Sequence, residues 1–154
     1  MRLRHREQAR PGAALVEAAL VVTVFITLVM GAFDMGMAAF RLHVLSQAAR
    51  EGVRHAIVHG SLAPSAWKGG PWGTSTFGPV AANNADPKAQ AVAPFLAGMD
   101  LSTVNVTYEW PDNSNAAEMR VRVTLTTSWT PLMGFIFGGS SHTLSASSSM
   151  TIAH

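Results

Sequence analysis

In the stretch GAALVEAALVV, residues 12 to 22, a basic leader gives way to an apolar run that carries one acidic side chain, Glu17. A lone carboxylate in hydrocarbon is costly unless it is paired or neutralised. Cutting the chain between Gly12 and Ala13 would supply the partner: the new N-terminus is an ammonium, and Glu17, now the fifth residue, lies one helical turn away. The carboxylate can then compensate the amine of its own chain, or that of a neighbour as helices stack. The plain alternative is that an acidic residue is favourable in a helix's first turn and needs no further purpose. Gly12 and the arginines before it favour the processing reading.

The other residues with chemical potential are fewer. His55 and His59 are spaced for a shared metal, but no third ligand accompanies them, and HAIVH lacks the glutamate of a zinc-protease motif. We therefore expect no metal site and no cofactor. Arg50 and Arg54 are candidate contacts for a partner subunit, against a plainer solvated face in which Glu51 pairs with Arg54 or His55. Trp67 and Trp72, with Phe77, stand in a Gly-rich loop as possible surface contacts, or else tuck against the domain and anchor that loop. Catalysis has no foothold. There is no G-x-S-x-G elbow, phosphate loop, HExxH or paired-carboxylate arrangement, so we expect no enzyme.

The elements that must position these residues follow from composition. Of 154 residues 48% are hydrophobic and 13% charged, against about one quarter charged in an ordinary soluble domain. The first 12 residues carry four arginines against Glu7, a balance of +3; the rest carry seven basic and eight acidic groups, or −1. The basic character thus belongs to the leader, and nothing suggests a nucleic-acid groove. Cysteine is absent, which removes disulfides and thiolate metal sites.

Ala13 to Phe33 holds one charge, Glu17, and as a helix would be roughly 30 Å long, the thickness of a hydrocarbon core. The preceding arginines, with Asp34 after it, place the N-terminus in the cytoplasm and the rest of the chain outside. A cleaved secretory signal is the nearest rival, although its apolar region should be about 7 to 15 residues and end at a small-x-small site. The helical pattern continues past the membrane: Ala38, Leu42, Leu45, Ala49, Val53 and Ala56 recur at spacings of three and four. With no proline between Pro11 and Pro64, one helix from about Ala13 to Val58 is the simplest reading, stopped near Gly60.

Residues 60–85 read as a long loop rich in Gly, Pro, Ser and Asn. Asp86-Pro87 then opens a short helix. Beyond Gly98 the period changes to two. Val104, Val106, Tyr108 and Trp110 make one alternating run, and Met119, Val121, Val123 and Leu125 a second, joined by the turn-prone PDNSN; a third, weaker run spans His142 to Ile152. The expected class is α+β: a long N-terminal helix, transmembrane then amphipathic, packed on a small antiparallel sheet of about three strands. The division is a leader (1–12), a membrane helix (13–33), its extension (34–59), a loop (60–85) and a short helix plus sheet (86–154). PLMGFIFGG, 131 to 139, neither alternates nor carries charge. It is a buried connection, an exposed apolar patch, or a segment touching the membrane surface.

RPGAALVEAALVV resembles the N-terminal motif of the type IV pilin superfamily, in which a prepilin peptidase cuts after glycine and a glutamate occupies the fifth mature position. The resemblance is closer to the TadE-like pseudopilins of tight adherence (Tad) pili. LSQAAREGVRHAIVHG, 45 to 60, is similar to that family's stretch at the end of the long helix. Two features depart from its usual pattern: Ala18 rather than an aromatic follows Glu17, and no proline interrupts the apolar run. The resemblance implies a pilin-like fold and a minor pilin or pseudopilin acting in pilus assembly, and so in adhesion or secretion. It implies cleavage between Gly12 and Ala13, an assembly role for Glu17, and close helix packing at Ala13, Ala14, Ala18 and Ala19. The implied partners are a prepilin peptidase, other pilin subunits, the Tad assembly machinery and inner-membrane lipid. The alternative is an uncleaved single-pass protein whose outer domain binds an envelope partner.

Overall fold

The computed structural model describes residues 11–66, 69–135 and 139–153. Helix α1 runs unbroken over Pro11–Ile57. Nothing in its interior removes a backbone N–H, and Arg54 and His55 in its last turn oppose the negative end of the helix dipole. After α1 come β1 (Phe77–Ala81), α2 (Pro87–Val92), β2 (Val104–Glu109), β3 (Arg120–Trp129) and β4 (His142–Thr151). The four strands form one antiparallel sheet in sequence order. The expected class holds, a long apolar helix against a small antiparallel sheet, with one strand more than the three alternating runs announced.

The additional strand, β1, lies inside the segment expected to be loop. Its FGPVA contains glycine and proline, residues that argue against a central strand. It is an edge strand, pairing with β2 alone through Phe77↔Tyr108 and Val80↔Val106 with a bulge between. There a proline's missing N–H costs no ladder bond. Gly78 is required for a separate reason: its φ is +95°, and a Cβ would stand 2.2 Å from the Val106 carbonyl oxygen.

One face of the sheet is dry. Val104, Val106 and Tyr108 of β2 and Val121, Val123 and Leu125 of β3 are fully buried, and cross-strand pairs such as Val106↔Leu125 and Tyr108↔Val123 bring them together. Leu45, Ala48, Ala49, Val53 and Ala56 of α1 join the same core. Each large side chain so buried stabilises by about 1.5–3 kcal/mol. Leu42, expected on this stripe, is 38% exposed on the flank of the contact, and Ala48 and Gly52 are buried with the stripe instead. Asp86 caps α2, accepting from the Lys88 N–H at 2.9 Å, and α2 closes the core with Ala89 and Val92. Tyr108 donates to the Lys88 carbonyl at 2.9 Å. Burial, with Asp86 adding, pushes its phenol well above the usual range.

Gly52 sets how closely α1 approaches. A Cβ there would meet Val92 Cγ1 at 2.6 Å, the Tyr108 hydroxyl at 3.2 Å and Val123 Cγ1 at 3.3 Å. At Gly36 the same atom meets nothing within 4 Å. The two Gly→Ala changes are therefore expected to act with opposite signs in thermal unfolding. Gly36→Ala gains up to about 1 kcal/mol of helix propensity. Gly52→Ala has the same gain outweighed by overpacking of about 1–3 kcal/mol.

Candidate functional site

The membrane half of α1 is bare. From Gly12 to Val29 every residue is exposed, as are Ala32 and Phe33. The helix is apolar and long enough to cross a membrane, near the N-terminus. Its two hydroxyls do not oppose this. Thr23 donates to the Ala19 carbonyl and Thr27 to the Thr23 carbonyl, each at 2.8 Å, so both are satisfied inside the helix, as lipid requires.

Ala13, Ala14, Ala18 and Ala19 all lie exposed on this half, and so does Glu17. Glu17 sits one turn along from Ala13, on a helix with nothing of the domain beside it, and has no hydrogen-bond or ion-pair partner among the described residues. Gly12 is the second residue of α1, and a Cβ built on it would meet nothing within 4 Å. Its identity is therefore not demanded by packing. The leader residues 1–10 lie outside the described residues.

The other candidates are spread along the extension. Arg54 pairs with Glu51 at 2.8 Å, the local pair expected from spacing, which as an exposed pair is worth only tenths of a kcal/mol. Arg50 donates to the Ser46 carbonyl and hydroxyl, both at 3.3 Å. Arg50 and Arg54 border a shallow groove of about 400 Å³ with Gln47 and Phe95. Trp67 lies outside the described residues. Trp72 takes the second of its two expected roles: it is buried, at 4% exposure, and so is an anchor of the loop and no surface contact. Its ring stacks on His59 at 4.6 Å and meets Tyr108 edge-on at 5.3 Å, which anchors the long loop to the core. His59 in turn donates from Nδ1 to the His55 carbonyl at 2.7 Å. Among the described residues no cluster of His, Cys, Asp or Glu could hold a metal ion.

Two polar residues matter that sequence reasoning passed over. Asp34, 7% exposed, accepts from the backbone N–H of Leu132 at 2.9 Å and of Met133 at 2.8 Å. It thereby ties the 3-10 turn Leu132–Phe135 to α1 just beyond the apolar run. Its sequence signal was only a charge at the end of a membrane span. Asn115, 6% exposed, sits at the end of PDNSN. Its Nδ2 donates to the His59 carbonyl at 3.2 Å and to the Trp72 carbonyl, its Oδ1 accepts from Trp110 Nε1 at 3.2 Å, and its carbonyl accepts from Ser61 N at 2.8 Å. This one side chain locks the end of α1, the loop and the β2–β3 connection together. Asp112, in the same turn, is half-buried and binds Arg120 at 2.7 Å, and that hydrogen bonding lowers its carboxyl to about 2.

Among the described residues the arrangement is a bare apolar helix with one carboxylate, continued without a break into a small domain. Residues 12–54 match the family model described as TadE-like protein. No curated protein and no solved structure matches the chain.

Proposed function

Over residues 12–54 the chain is a member of the TadE-like family, and from that premise we propose that it is a minor pilin or pseudopilin of a bacterial Tad-type pilus. It enters the inner membrane as a precursor, its arginine-rich leader held in the cytoplasm and its sheet domain outside. A prepilin peptidase then cuts between Gly12 and Ala13. Processing removes the leader's charge and creates an ammonium one turn from Glu17, on its own helix or on a neighbour's. The helix is then free to pack with other pilin subunits and the Tad assembly machinery. Ala13, Ala14, Ala18 and Ala19 allow those helices to approach closely, while Arg50 and Arg54 lie where a neighbouring domain could reach them. The subunit serves pilus assembly and, through the pilus, adhesion or secretion.

One observation carries this reading. The half of α1 from Gly12 to Phe33 is continuous with the domain's core helix, yet the domain leaves nearly all of it uncovered. A helix so exposed needs lipid or other helices around it, and Glu17 needs a positive partner among them.

Intact mass of the membrane-extracted protein tests the proposal. Expressed beside an active prepilin peptidase, the chain is expected to begin at Ala13, lighter by residues 1–12 than when the peptidase is inactive. A chain that keeps its leader in both backgrounds would overturn the pilin reading in favour of an uncleaved single-pass protein.

A further inference from the structure

We propose that the 3-10 turn Leu132–Phe135 rests in the outer leaflet of the bilayer, so that the domain stands on lipid as well as on its helix. The partner is a lipid surface, and the inference rests on α1 crossing the membrane.

Position comes first. Trp129, Pro131 and Met133 face Leu28, Gly31 and Met35 of α1 across an apolar groove of about 610 Å³. Leu28 lies five residues before Phe33, roughly 7 Å inside the outer end of the membrane span at the helical rise. The domain side of the groove is therefore level with the boundary between hydrocarbon and headgroups. Lipid already surrounds the helix at that height, and the groove is continuous with that lipid-facing surface.

Chemistry agrees with position. Leu132 is 58% exposed and Met35, across the same junction, 76%. No charge occurs from Ser128 to Ser141, and Trp129 is of the type that favours the membrane interface. An exposed leucine at the tip of an uncharged turn is unfavourable in water and favourable in lipid.

The backbone meets the donor half of the usual objection. Irregular chain is excluded from lipid because its N–H and C=O groups lack partners. Here Pro131 has no N–H. Those of Leu132 and Met133 donate to the Asp34 carboxylate at 2.9 and 2.8 Å, and that of Gly134 donates to the Pro131 carbonyl at 3.0 Å. Each N–H from Leu132 to Gly134 is satisfied before the turn meets the membrane. Asp34 thus acts as a cap that makes a turn fit for lipid.

The chain has no cysteine, so single thiols can be placed at Leu132, at Leu20 in the membrane half and at Leu62 on an exposed loop. The full-length protein is reconstituted at one copy per phosphatidylcholine nanodisc, labelled with bimane, and quenched either by spin-labelled lipid or by aqueous iodide. At Leu132 the shallow lipid label is expected to quench strongly and iodide about threefold less than at Leu62, as for an interfacial residue. Iodide access equal to that at Leu62, without lipid quenching, would overturn the proposal. Protection from iodide without lipid quenching would also overturn it, since protein would then cover the turn. Absence of lipid quenching at Leu20 would remove the membrane-spanning premise itself, a failure distinct from the first two.

Discussion

An Asn115→Ala chain is expected to lose about 3 kcal/mol of stability, because the change strands two buried groups at once and each unsatisfied one costs about 1–3 kcal/mol. The stranded groups are the Trp72 carbonyl and the Nε1–H of Trp110, which both meet the Asn115 amide; the His59 carbonyl loses that bond too but keeps the Trp72 N–H at 2.8 Å. In a domain of this size the midpoint should fall by roughly 10 °C. Asn115→Asp is the sharper test. It keeps the acceptor for Trp110 but turns the donor that faces two carbonyls into a charged oxygen, so it is expected to be no better than alanine. Asn105→Ala, at an exposed position on β2, should stay within about 0.5 kcal/mol of the parent. Thermal unfolding followed by circular dichroism in detergent checks all three. Equal behaviour of Asn115→Ala and Asn105→Ala would show that the hub holds nothing together.

A second expected result separates processing from assembly. Gly12→Val should leave unfolding unchanged, since the space around Gly12 is open, while the uncut precursor accumulates and pili are lost. Glu17→Ala should do the reverse at the first step: insertion and cleavage proceed, because the change removes a charge that is itself costly in a bilayer. Assembly should then fall about tenfold or more, as one ion pair near 1.4 kcal/mol already implies. Intact mass reads cleavage, and quantification of surface filaments reads assembly. Filaments undiminished by Glu17→Ala would reduce the carboxylate to an ordinary helix-start residue.

Much of the fold was legible because it rests on periodicity. The alternation of Val104, Val106 and Tyr108 with their polar neighbours is set by the pleat of a strand, and the stripe through Leu45, Ala49 and Val53 by the turn of a helix. The β2–β3 hairpin, the capped α2 and the continuous α1 are local consequences of such patterns. Strand β1 was not legible. Its Gly78-Pro79 contradicts strand propensity, and only an edge position beside β2 makes that sequence acceptable.

The candidate site divides along the same line. Composition and order alone determine an apolar span with one carboxylate five residues after a glycine, and they point to the TadE-like family, because membrane insertion and motif are properties of the linear chain. Tertiary structure decided the rest. It buried Trp72 against His59, made Asn115 a hub while Asp112 in the same turn paired with Arg120 at the surface, and brought Asp34 to two N–H groups about a hundred residues away in the chain. Such polar partnerships leave no periodic trace. A carboxylate or amide looks the same in sequence whether it faces water or caps a distant turn, and the choice is made only when packing removes water from one and not the other.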